Sequence, residues 1–321
     1  MRLLVTGAHG LLGRALLQAA PTEGMEYVGC GRQGAAVGQV PCHAIDLTDR
    51  DAVMALWRRL RPDRVIHTAA VTNVDQCETE PELARRVNLE VVENVVAACV
   101  EVGAGVAHLS TDYVFDGEAG PYSEQDVPQP LSVYGRMKLA SEAVVLDAGV
   151  DGLVVRTLWL YGHLRCVRPN LVTWPLAALA RGEDMRIVND QWGNPTYVHD
   201  LARALVQLSG QGVGGLFHMG GATFLTRDEL VRQVAAHFRL DASAVATMTT
   251  ASAGQAARRP LRSGLRTDNI EAQLGWAPAS LQEGLERMAA EPDFREDFAG
   301  LPATGLPATG LPATGLPATN V

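Results

Sequence analysis

A glycine-rich turn between a short apolar strand and a helix constrains the fold of this chain more than any other feature. Residues 2–6 form an apolar run, Gly7, Gly10 and Gly13 follow it, and residues 14–20 have a helix-forming composition. Glycines at such a turn let the backbone approach a ligand closely, and the free N–H groups of a helix N-terminus favour a phosphate. The pattern predicts a dinucleotide-binding turn at the start of a Rossmann-type sheet.

The residues after the next strands predict how the adenosine half of a dinucleotide is held. A second apolar strand, residues 26–30, ends at Arg32. An acidic residue at this place grips a ribose 2′-hydroxyl, whereas an arginine accommodates a 2′-phosphate, so Arg32 indicates NADPH, with NADH as the alternative. Asp46 is expected to reach the adenine or its ribose. Small residues that let a cofactor lie close follow the strand at 64–68: Ala69, Ala70 and Val71.

A hydroxyl, a phenol and an ammonium are the candidate reacting groups. Thr111 follows the apolar strand at 105–110, and Tyr134 and Lys138 are four residues apart on a predicted helix. That spacing places the last two on one helix face, where the ammonium is expected to lower the pKa of the phenol and make it a usable acid. The helix is expected to bury an apolar stripe of Val133, Met137, Ala140 and Val144. Two histidines inside apolar strands are interpreted as satisfied core residues, His67 and His108.

Strands and helices alternate regularly up to residue 158, which predicts an α/β fold with a doubly wound parallel sheet. The predicted dinucleotide-binding domain comprises residues 1–158 and 189–222. A smaller mixed α/β substrate domain is predicted from residues 159–188 and 223–298. Residues 299–321 contain an LPATG repeat with regularly spaced prolines and no charge, and are predicted to be a disordered tail.

Composition and charge exclude several classes of function. The net charge is −9, which argues against a nucleic-acid partner. Neither a signal-peptide pattern nor a membrane-length apolar run occurs, so the chain is expected in the cytoplasm, away from membranes. The five cysteines lack metal-site spacing, and no metal is expected. The one dense basic loop contains Arg258, Arg259 and Arg262, and is either a solvated turn or a clamp for a substrate phosphate.

Taken together, these motifs resemble the extended short-chain dehydrogenase/reductases of the dTDP-4-dehydrorhamnose reductase type. The resemblance covers about residues 1–290 and is carried by the glycine turn, STDYVFDG at 110–117, YxxxK at 134–138, RTLWLYG at 156–162, QWGNPT at 191–196, and Arg259-Pro260 with Ser263. STDYVFDG is the most specific of these motifs. The resemblance implies that the chain reduces the 4-keto group of a nucleotide-linked deoxysugar and has a nucleotide sugar as its partner molecule. A homodimer is a further expectation.

The resemblance also implies roles for individual residues. Thr111 would polarise the substrate carbonyl, Tyr134 would donate the proton, and Lys138 would hold the nicotinamide ribose and tune Tyr134. Cofactor contacts are implied for Gly7, Gly10, Leu11, Leu12, Gly13, Arg32, Asp46, Leu47, Ala69, Ala70, Val71, Tyr134 and Lys138. Substrate contacts are implied for Thr111, Asp112 and Trp159. From its local positive charge, the basic loop is further predicted to clamp the substrate diphosphate through Arg259.

Two alternatives stay open at this point. The first is another sugar-nucleotide enzyme of the same fold, an epimerase or a dehydratase. Dehydratases of this type carry Thr-Asp-Glu, whereas Thr111-Asp112 is followed here by Tyr113, which disfavours elimination. The second is a non-catalytic regulatory subunit, which the same fold provides in the methionine adenosyltransferase system. An intact set of Thr111, Tyr134 and Lys138 favours an enzyme.

Overall fold

A computed structural model describes residues 1–18 and 24–301. Within these residues, the strands in chain order are β1 (Arg2–Thr6), β2 (Glu26–Gly31), β3 (Cys42–Ala44), β4 (Arg64–His67), β5 (Gly105–Thr111), β6 (Gly152–Thr157), β7 (Leu160–Tyr161), β8 (Met185–Val188), β9 (Trp192–Gly193), β10 (Thr196–Tyr197), β11 (Gly215–Met219), β12 (Leu225–Thr226) and β13 (Val245–Met248).

The α-helices of the same residues are α1 (Leu11–Gln18), α2 (Arg50–Leu60), α3 (Val74–Thr79), α4 (Pro81–Arg85), α5 (Val91–Val102), α6 (Val133–Leu146), α7 (Thr173–Ala180), α8 (Val198–Gly210), α9 (Arg227–His237), α10 (Asp268–Leu274), α11 (Leu281–Ala290) and α12 (Pro292–Asp297). A π-helical turn, Arg86–Glu90, joins α4 to α5. None of the described helices is long and apolar enough to cross a membrane.

Seven of the described strands form one sheet in the order β3-β2-β1-β4-β5-β6-β11, with every neighbouring pair parallel. Apolar side chains cover both faces, as a buried parallel sheet requires. The strand order reverses between β1 and β4, and ligands of such sheets bind outside the carboxyl ends of the strands at that point. The prediction of a Rossmann-type parallel sheet is therefore confirmed.

A second hydrophobic cluster lies beside the sheet and is built mainly from later parts of the chain. It includes Leu176 of α7, Leu230 of α9 and Leu285 of α11, all nearly inaccessible to solvent. The chain enters this cluster after β6, returns to the sheet with α8 and β11, and leaves again at β12. One later helix returns once more, because α10 packs Ile270 and Leu274 on the sheet side.

The predicted domain boundaries therefore stay a proposal, and two segments pack differently from them. The helix α10 lies with the sheet, although residues 223–298 were assigned to the substrate domain. Leu301, which was assigned to the tail, is 2% exposed and packs in the second cluster. The remainder of the predicted disordered tail, 302–321, lies outside the described residues.

Two helix predictions differ from the structure for identifiable reasons. The helix-forming composition of residues 81–102 predicts one continuous helix, but the π-helical turn divides it where the buried Asn88 side chain bonds a neighbouring loop. In α6 the expected apolar stripe is only half-buried, with Val133, Met137 and Val144 at the edges of hydrophobic clusters. The fully buried residues are instead Tyr134, Gly135, Lys138, Ser141, Glu142 and Val145. That face packs on polar residues of the sheet, which supply its hydrogen bonds.

Candidate active site

The glycine turn joins β1 to α1 at the carboxyl edge of the sheet. Gly7 has φ +66°, and a Cβ there would lie 2.7 Å from Thr68 Oγ1 and 2.8 Å from Ala69 N. A Cβ on Gly13 would lie 2.2 Å from Gly7 O, whereas one on Gly10 would meet only Gly7 O, at 3.3 Å. Gly7 and Gly13 are therefore required by the backbone itself, and Gly10 leaves open space beside the start of α1.

The residues that begin α1 present backbone to this space. Leu12 is buried in the core on the sheet side, and Leu11 packs partly against the same core. Gly10 N donates to Gly7 O at 2.9 Å, and the first helical bond runs from Arg14 N to Gly10 O at 2.9 Å. The N–H groups between them belong to the first turn, where a helix binds an anion through backbone donors.

Arg32 and Asp46 lie together beyond the ends of β2 and β3. Arg32 is exposed, and its charge, together with that of Arg86, helps hold the pKa of Asp46 below its ordinary value. The larger cause of this lowered pKa is hydrogen bonding, because Thr48 donates to Asp46 Oδ1 from its backbone N–H at 2.9 Å and from its hydroxyl at 2.8 Å. The neighbouring Leu47 is buried. Among the described residues, an exposed cation without a bonded partner therefore lies at the place where a 2′-phosphate is expected.

The amide side chain of Asn88 holds the segment after β4. Val71 N donates to Asn88 Oδ1 at 2.9 Å, and Asn88 Nδ2 donates back to Val71 O at 2.9 Å. Asn88 comes from the π-helical turn, a deformation frequent at functional sites. This clamp fixes the path of Ala69, Ala70 and Val71 along the edge of the sheet beside Gly7.

Thr111 ends β5, and the phenol of Tyr134 lies against it. Burial raises the pKa of Tyr134 above its ordinary value, and a hydrogen bond with the Thr111 hydroxyl offsets only part of that effect. The Thr111 hydroxyl donates to Asp112 Oδ1 at 3.0 Å. Tyr113 packs edge-on against Tyr134, with ring centroids 5.8 Å apart. The phenol is thus a protonated donor held beside the end of β5.

Lys138 lies one turn along α6 and is 3% exposed. Its Nζ lies 3.0 Å from His108 Nε2, and burial lowers its pKa to about 8 against the opposing charge of Glu142. Burial keeps the pKa of Tyr134 above its ordinary value, so the expected lowering by Lys138 is not observed. The view of His108 as a satisfied core residue is also wrong, since it contacts Lys138 and its Nδ1 finds no partner among the described residues.

Asp112 and Trp159 lie on the side of the second cluster. Asp112 is buried and accepts hydrogen bonds from Thr111 and Ser263; burial nevertheless raises its pKa to about 6. Trp159 follows β6 with φ 44°, a left-handed conformation that costs free energy for a side chain of this size. Its ring lies under the guanidinium of Arg227, 4.9 Å from Cζ to the ring centroid.

Two arginines from different parts of the chain meet at Tyr113: Arg227, which is half-buried, and Arg259, whose side chain is 8% exposed. Arg259 pairs with Asp75 at 2.8 Å and lies 5.8 Å from the Tyr113 ring centroid. Burial lowers the pKa of Arg227, and the charge of Arg259 lowers it further. Within the described residues, Arg227 Nε and Arg259 Nη1 are both buried and lack a hydrogen-bond partner. Such a pair of cations is suited to an anionic ligand.

The predicted cluster of three arginines in the basic loop is not a single group. Arg258 is exposed. Arg262 donates from Nε to Gly120 O at 2.9 Å and lies over Trp192 and Phe224, so it holds loops together.

Sequence reasoning missed Arg227, Asn88 and the contact of His108. Arg227 is a lone arginine at the start of α9, and only the tertiary fold brings it to Tyr113. The sequence did offer one further sign that Lys138 has a special environment, because it is the only lysine among the 27 lysine and arginine residues. A chain that uses arginine everywhere else needs an amine at this position.

Comparisons with known proteins agree with this geometry. Residues 1–293 match the family model described as the RmlD substrate binding domain. The probable low-salt glycan biosynthesis reductase Agl14 of Haloferax volcanii is 34% identical over 294 residues, which cover 90% of this chain and 98% of that protein. Methionine adenosyltransferase 2 subunit beta of Danio rerio is 34% identical over 276 residues, 84% of each chain.

A solved structure has the same fold. The crystal structure of dTDP-4-dehydrorhamnose reductase from Bacillus anthracis in complex with NADP superposes with a TM-score of 0.81 at 31% identity, and covers 89% of this chain and 98% of that chain. The sheet, the glycine turn and the matches define an extended short-chain dehydrogenase/reductase, an NAD(P)-dependent oxidoreductase. Within that class, the chain belongs to the RmlD substrate-binding-domain family.

Proposed function

We propose that this protein uses NADPH to reduce the 4-keto group of a nucleotide-linked deoxysugar, as dTDP-4-dehydrorhamnose reductase does in making dTDP-L-rhamnose. The observation that carries the proposal is the phenol of Tyr134, buried, protonated and in contact with Thr111 at the carboxyl end of β5. A carbonyl placed there meets one hydroxyl and one acid on the same side.

The residues present fit the cofactor. The open space beside Gly10 and the backbone N–H groups at the start of α1 suit a pyrophosphate. Asp46 and Leu47 would lie along the adenosine, and the segment fixed by Asn88 would lie along the middle of the molecule. When bound, NADPH supplies the hydride, and the protein supplies orientation and a proton.

Arg32 supports NADPH over NADH. Its guanidinium is exposed and makes no hydrogen bond within the described residues, so it is available to a 2′-phosphate. A charge-assisted bond of that kind contributes roughly 1.5 to 3 kcal/mol. The preference is a proposal for this chain, since related structures contain either NADP or NAD.

Tyr134 is proposed as the acid that protonates the carbonyl oxygen. Its raised pKa keeps the proton on the phenol until a substrate is bound, and Thr111 would direct the same oxygen toward it. Lys138 would donate to the nicotinamide ribose, and its charge would favour the tyrosinate that forms when the proton leaves.

The substrate diphosphate is proposed to lie against Arg227 and Arg259. Each of these side chains has one buried nitrogen without a partner among the described residues, and the two charges disfavour each other until an anion separates them. Asp112 and Trp159, which border the same space, would contact the sugar nucleotide. Binding energy from the diphosphate would then position the carbonyl for hydride transfer.

A cofactor-oxidation assay with a panel of nucleotide-linked 4-keto sugars tests the function. We expect NADPH consumption with at least one deoxysugar nucleotide and poor reaction with the corresponding free 4-keto sugars. Equal rates with free and nucleotide-linked sugars would contradict the proposed diphosphate site. No oxidation with any member of the panel would contradict the proposed function.

The similarity to methionine adenosyltransferase 2 subunit beta supports a second candidate, a regulatory subunit. The two candidates differ in an observable way. A regulatory subunit would co-purify with a larger partner and show no turnover, whereas the proposed reductase turns over alone. The homodimer and the cytoplasmic location stay predictions, to be examined by light scattering and by cell fractionation.

A further inference from the structure

Lys138 is held by an imidazole and not by a carboxylate. Its Nζ lies 3.0 Å from His108 Nε2, and this is the hydrogen bond that the ammonium makes within the described residues. Glu142 lies one turn further along α6, but its carboxylate is already engaged. Arg156 donates to it from Nε at 2.9 Å and from Nη2 at 2.7 Å, and the Ser110 hydroxyl donates to it as well.

The contact defines which nitrogen of His108 carries its proton. A lysine ammonium can only donate, so Nε2 of a neutral His108 must accept, and the proton then resides on Nδ1. Burial and the charge of Lys138 hold the pKa of His108 well below its ordinary value, which keeps the ring neutral. The Ser141 hydroxyl, 2.9 Å from the same Nε2, also lies 2.7 Å from Lys138 O and can donate there instead.

The ring of His108 is itself fixed in place. It stacks on His67, with ring centroids 5.5 Å apart and an interplanar angle of 16°. His67 is anchored in turn by a contact of 2.8 Å between its Nδ1 and Thr6 Oγ1. The acceptor for Lys138 is thus built into the sheet, across β1, β4 and β5, and cannot follow the lysine if the lysine moves.

We propose that His108 is a positioning residue that accepts one of the three N–H bonds of Lys138, directs the other two toward the cofactor ribose, and sets the pH at which the ammonium is lost. This inference rests on the proposed role of Lys138 in cofactor binding. It makes His108 a determinant of the basic side of the pH range in which the protein binds NADPH.

The surroundings of Lys138 support a titration that His108 controls. Burial lowers the lysine pKa to about 8, and the charge of Glu142 opposes this effect. The remaining groups around the amine are neutral or already paired. The titratable and charged groups on the elements around Lys138 are Tyr134 and Glu142 of α6, His108 of β5, His67 of β4, Arg156 of β6 and Cys77 of α3. The charge of Cys77 helps raise the pKa of Tyr134.

Since Lys138 is the only lysine in the chain, its titration can be observed directly. Protein made with lysine labelled with ¹³C at Cε and ¹⁵N at Nζ gives one side-chain signal, free of overlap from other lysines. We expect a midpoint near pH 8 in the parent protein. His108→Phe removes the acceptor and leaves the buried ammonium unpaired, so the midpoint should fall by about 1 to 2 pH units, the equivalent of one hydrogen bond to a charged group.

Two variants separate positioning from packing. His108→Gln retains an acceptor oxygen and should recover most of the midpoint, and His67→Phe keeps the stacked ring but has no contact with Lys138, so its midpoint should match that of the parent. His108→Met is a second apolar variant, to be used where His108→Phe does not fold. The dissociation constant for NADPH at pH 8 should rise about tenfold or more in the apolar variants, and not in His67→Phe.

An unchanged midpoint in folded His108→Phe or His108→Met would overturn the proposal. An equal shift in His67→Phe would also overturn it, because the effect would then come from packing. Neither the titration nor the NADPH affinity requires a sugar substrate. A failure of the cofactor-oxidation panel therefore bears on the proposed function alone, and a failure of the titration bears on His108 alone.

Discussion

Arg156 of β6 binds Glu142 of α6 through two hydrogen bonds, of 2.9 Å and 2.7 Å, and both side chains are almost fully buried. The pair attaches the helix that carries Tyr134 and Lys138 to the sheet. Arg156 Nη1 also lies 3.3 Å from His218 Nε2 on β11, and its guanidinium lies over Phe115. A charged pair in the interior thus fixes the position of α6.

Glu142→Gln is expected to destabilise the fold strongly. It leaves the buried charge of Arg156 uncompensated, which typically costs about 3 to 5 kcal/mol of unfolding free energy. Urea denaturation measures the change. The control is Glu101→Gln, which removes the partner of Arg58 in a pair that is largely exposed, and should cost less than about 1 kcal/mol. Similar losses in the two variants would contradict the role assigned to the buried pair.

Tyr134→Phe is expected to retain NADPH binding and lose turnover by about 100-fold or more, the range usual for a general acid. The ring is preserved, so packing against Tyr113 should change little. Single-turnover kinetics and a cofactor titration measure the two effects separately. Tyr27→Phe, in a buried tyrosine of β2 remote from this group, provides the control and should keep the parent rate. A near-parent rate in Tyr134→Phe would remove the phenol from the mechanism.

Arg32→Ala is expected to erase most of the preference for NADPH over NADH. Loss of one charge-assisted bond to a phosphate corresponds to about a 10- to 100-fold change in the ratio of kcat/KM for the two cofactors. The change should appear in the Michaelis constant for NADPH. Arg59→Ala, at an exposed arginine of α2, is the matched control. If the parent protein uses both cofactors equally, the assignment of Arg32 is wrong.

Arg259→Ala is expected to lower kcat/KM for the nucleotide-linked sugar about tenfold or more and to leave NADPH affinity within about twofold of the parent. Arg227→Ala should act in the same direction, because both side chains border the proposed diphosphate site. Arg258→Ala removes an exposed charge from the same loop and serves as the control. If NADPH binding weakens while the sugar is spared, the two arginines belong to the cofactor.

Asp112→Asn is expected to change how stability depends on pH. Burial raises the folded-state pKa of Asp112 to about 6, above an unfolded value of about 4, so its favourable contribution is complete below about pH 4 and is lost as the pH rises through 6. The asparagine variant should therefore gain about 2 to 3 kcal/mol relative to the parent between pH 3.5 and 7.5. Urea denaturation of both proteins across this range measures the difference. A constant difference would mean that Asp112 titrates normally.

The parts of the site that the sequence could predict are those specified by local pattern. The strand, glycine turn and helix around Gly7 are specified by neighbouring residues, since the turn requires a positive φ that glycine adopts without strain. Thr111 ends a strand whose apolar run is visible without any partner. Ser132, a residue type that favours the N-cap position, precedes the helical pattern and caps α6, with its hydroxyl accepting from Gly135 N at 3.2 Å.

The parts that could not be predicted depend on residues far apart in the sequence. Ser141 and Glu142 are polar, and periodicity alone assigns them to the solvent side of α6. They are buried because His108 and Arg156, on two strands of the sheet, supply their partners. A hydropathy pattern describes one segment at a time, and so it cannot indicate that two polar surfaces will pair.

The chain passes several times between the sheet and the second hydrophobic cluster. Neither of these two parts, called lobes below, can therefore be expressed from one continuous segment. A fragment that ends at Leu158 would lack β11, and the edge of β6 would be left unpaired with Val154 and Val155 exposed to pairing with other chains. A fragment made of residues 159–188 and 223–298 would contain most of the second cluster but would lack Tyr197, which lies in β10 and is buried in that cluster. The two lobes should therefore melt in one calorimetric transition, and swapping one lobe between relatives would require exchange of several separate segments.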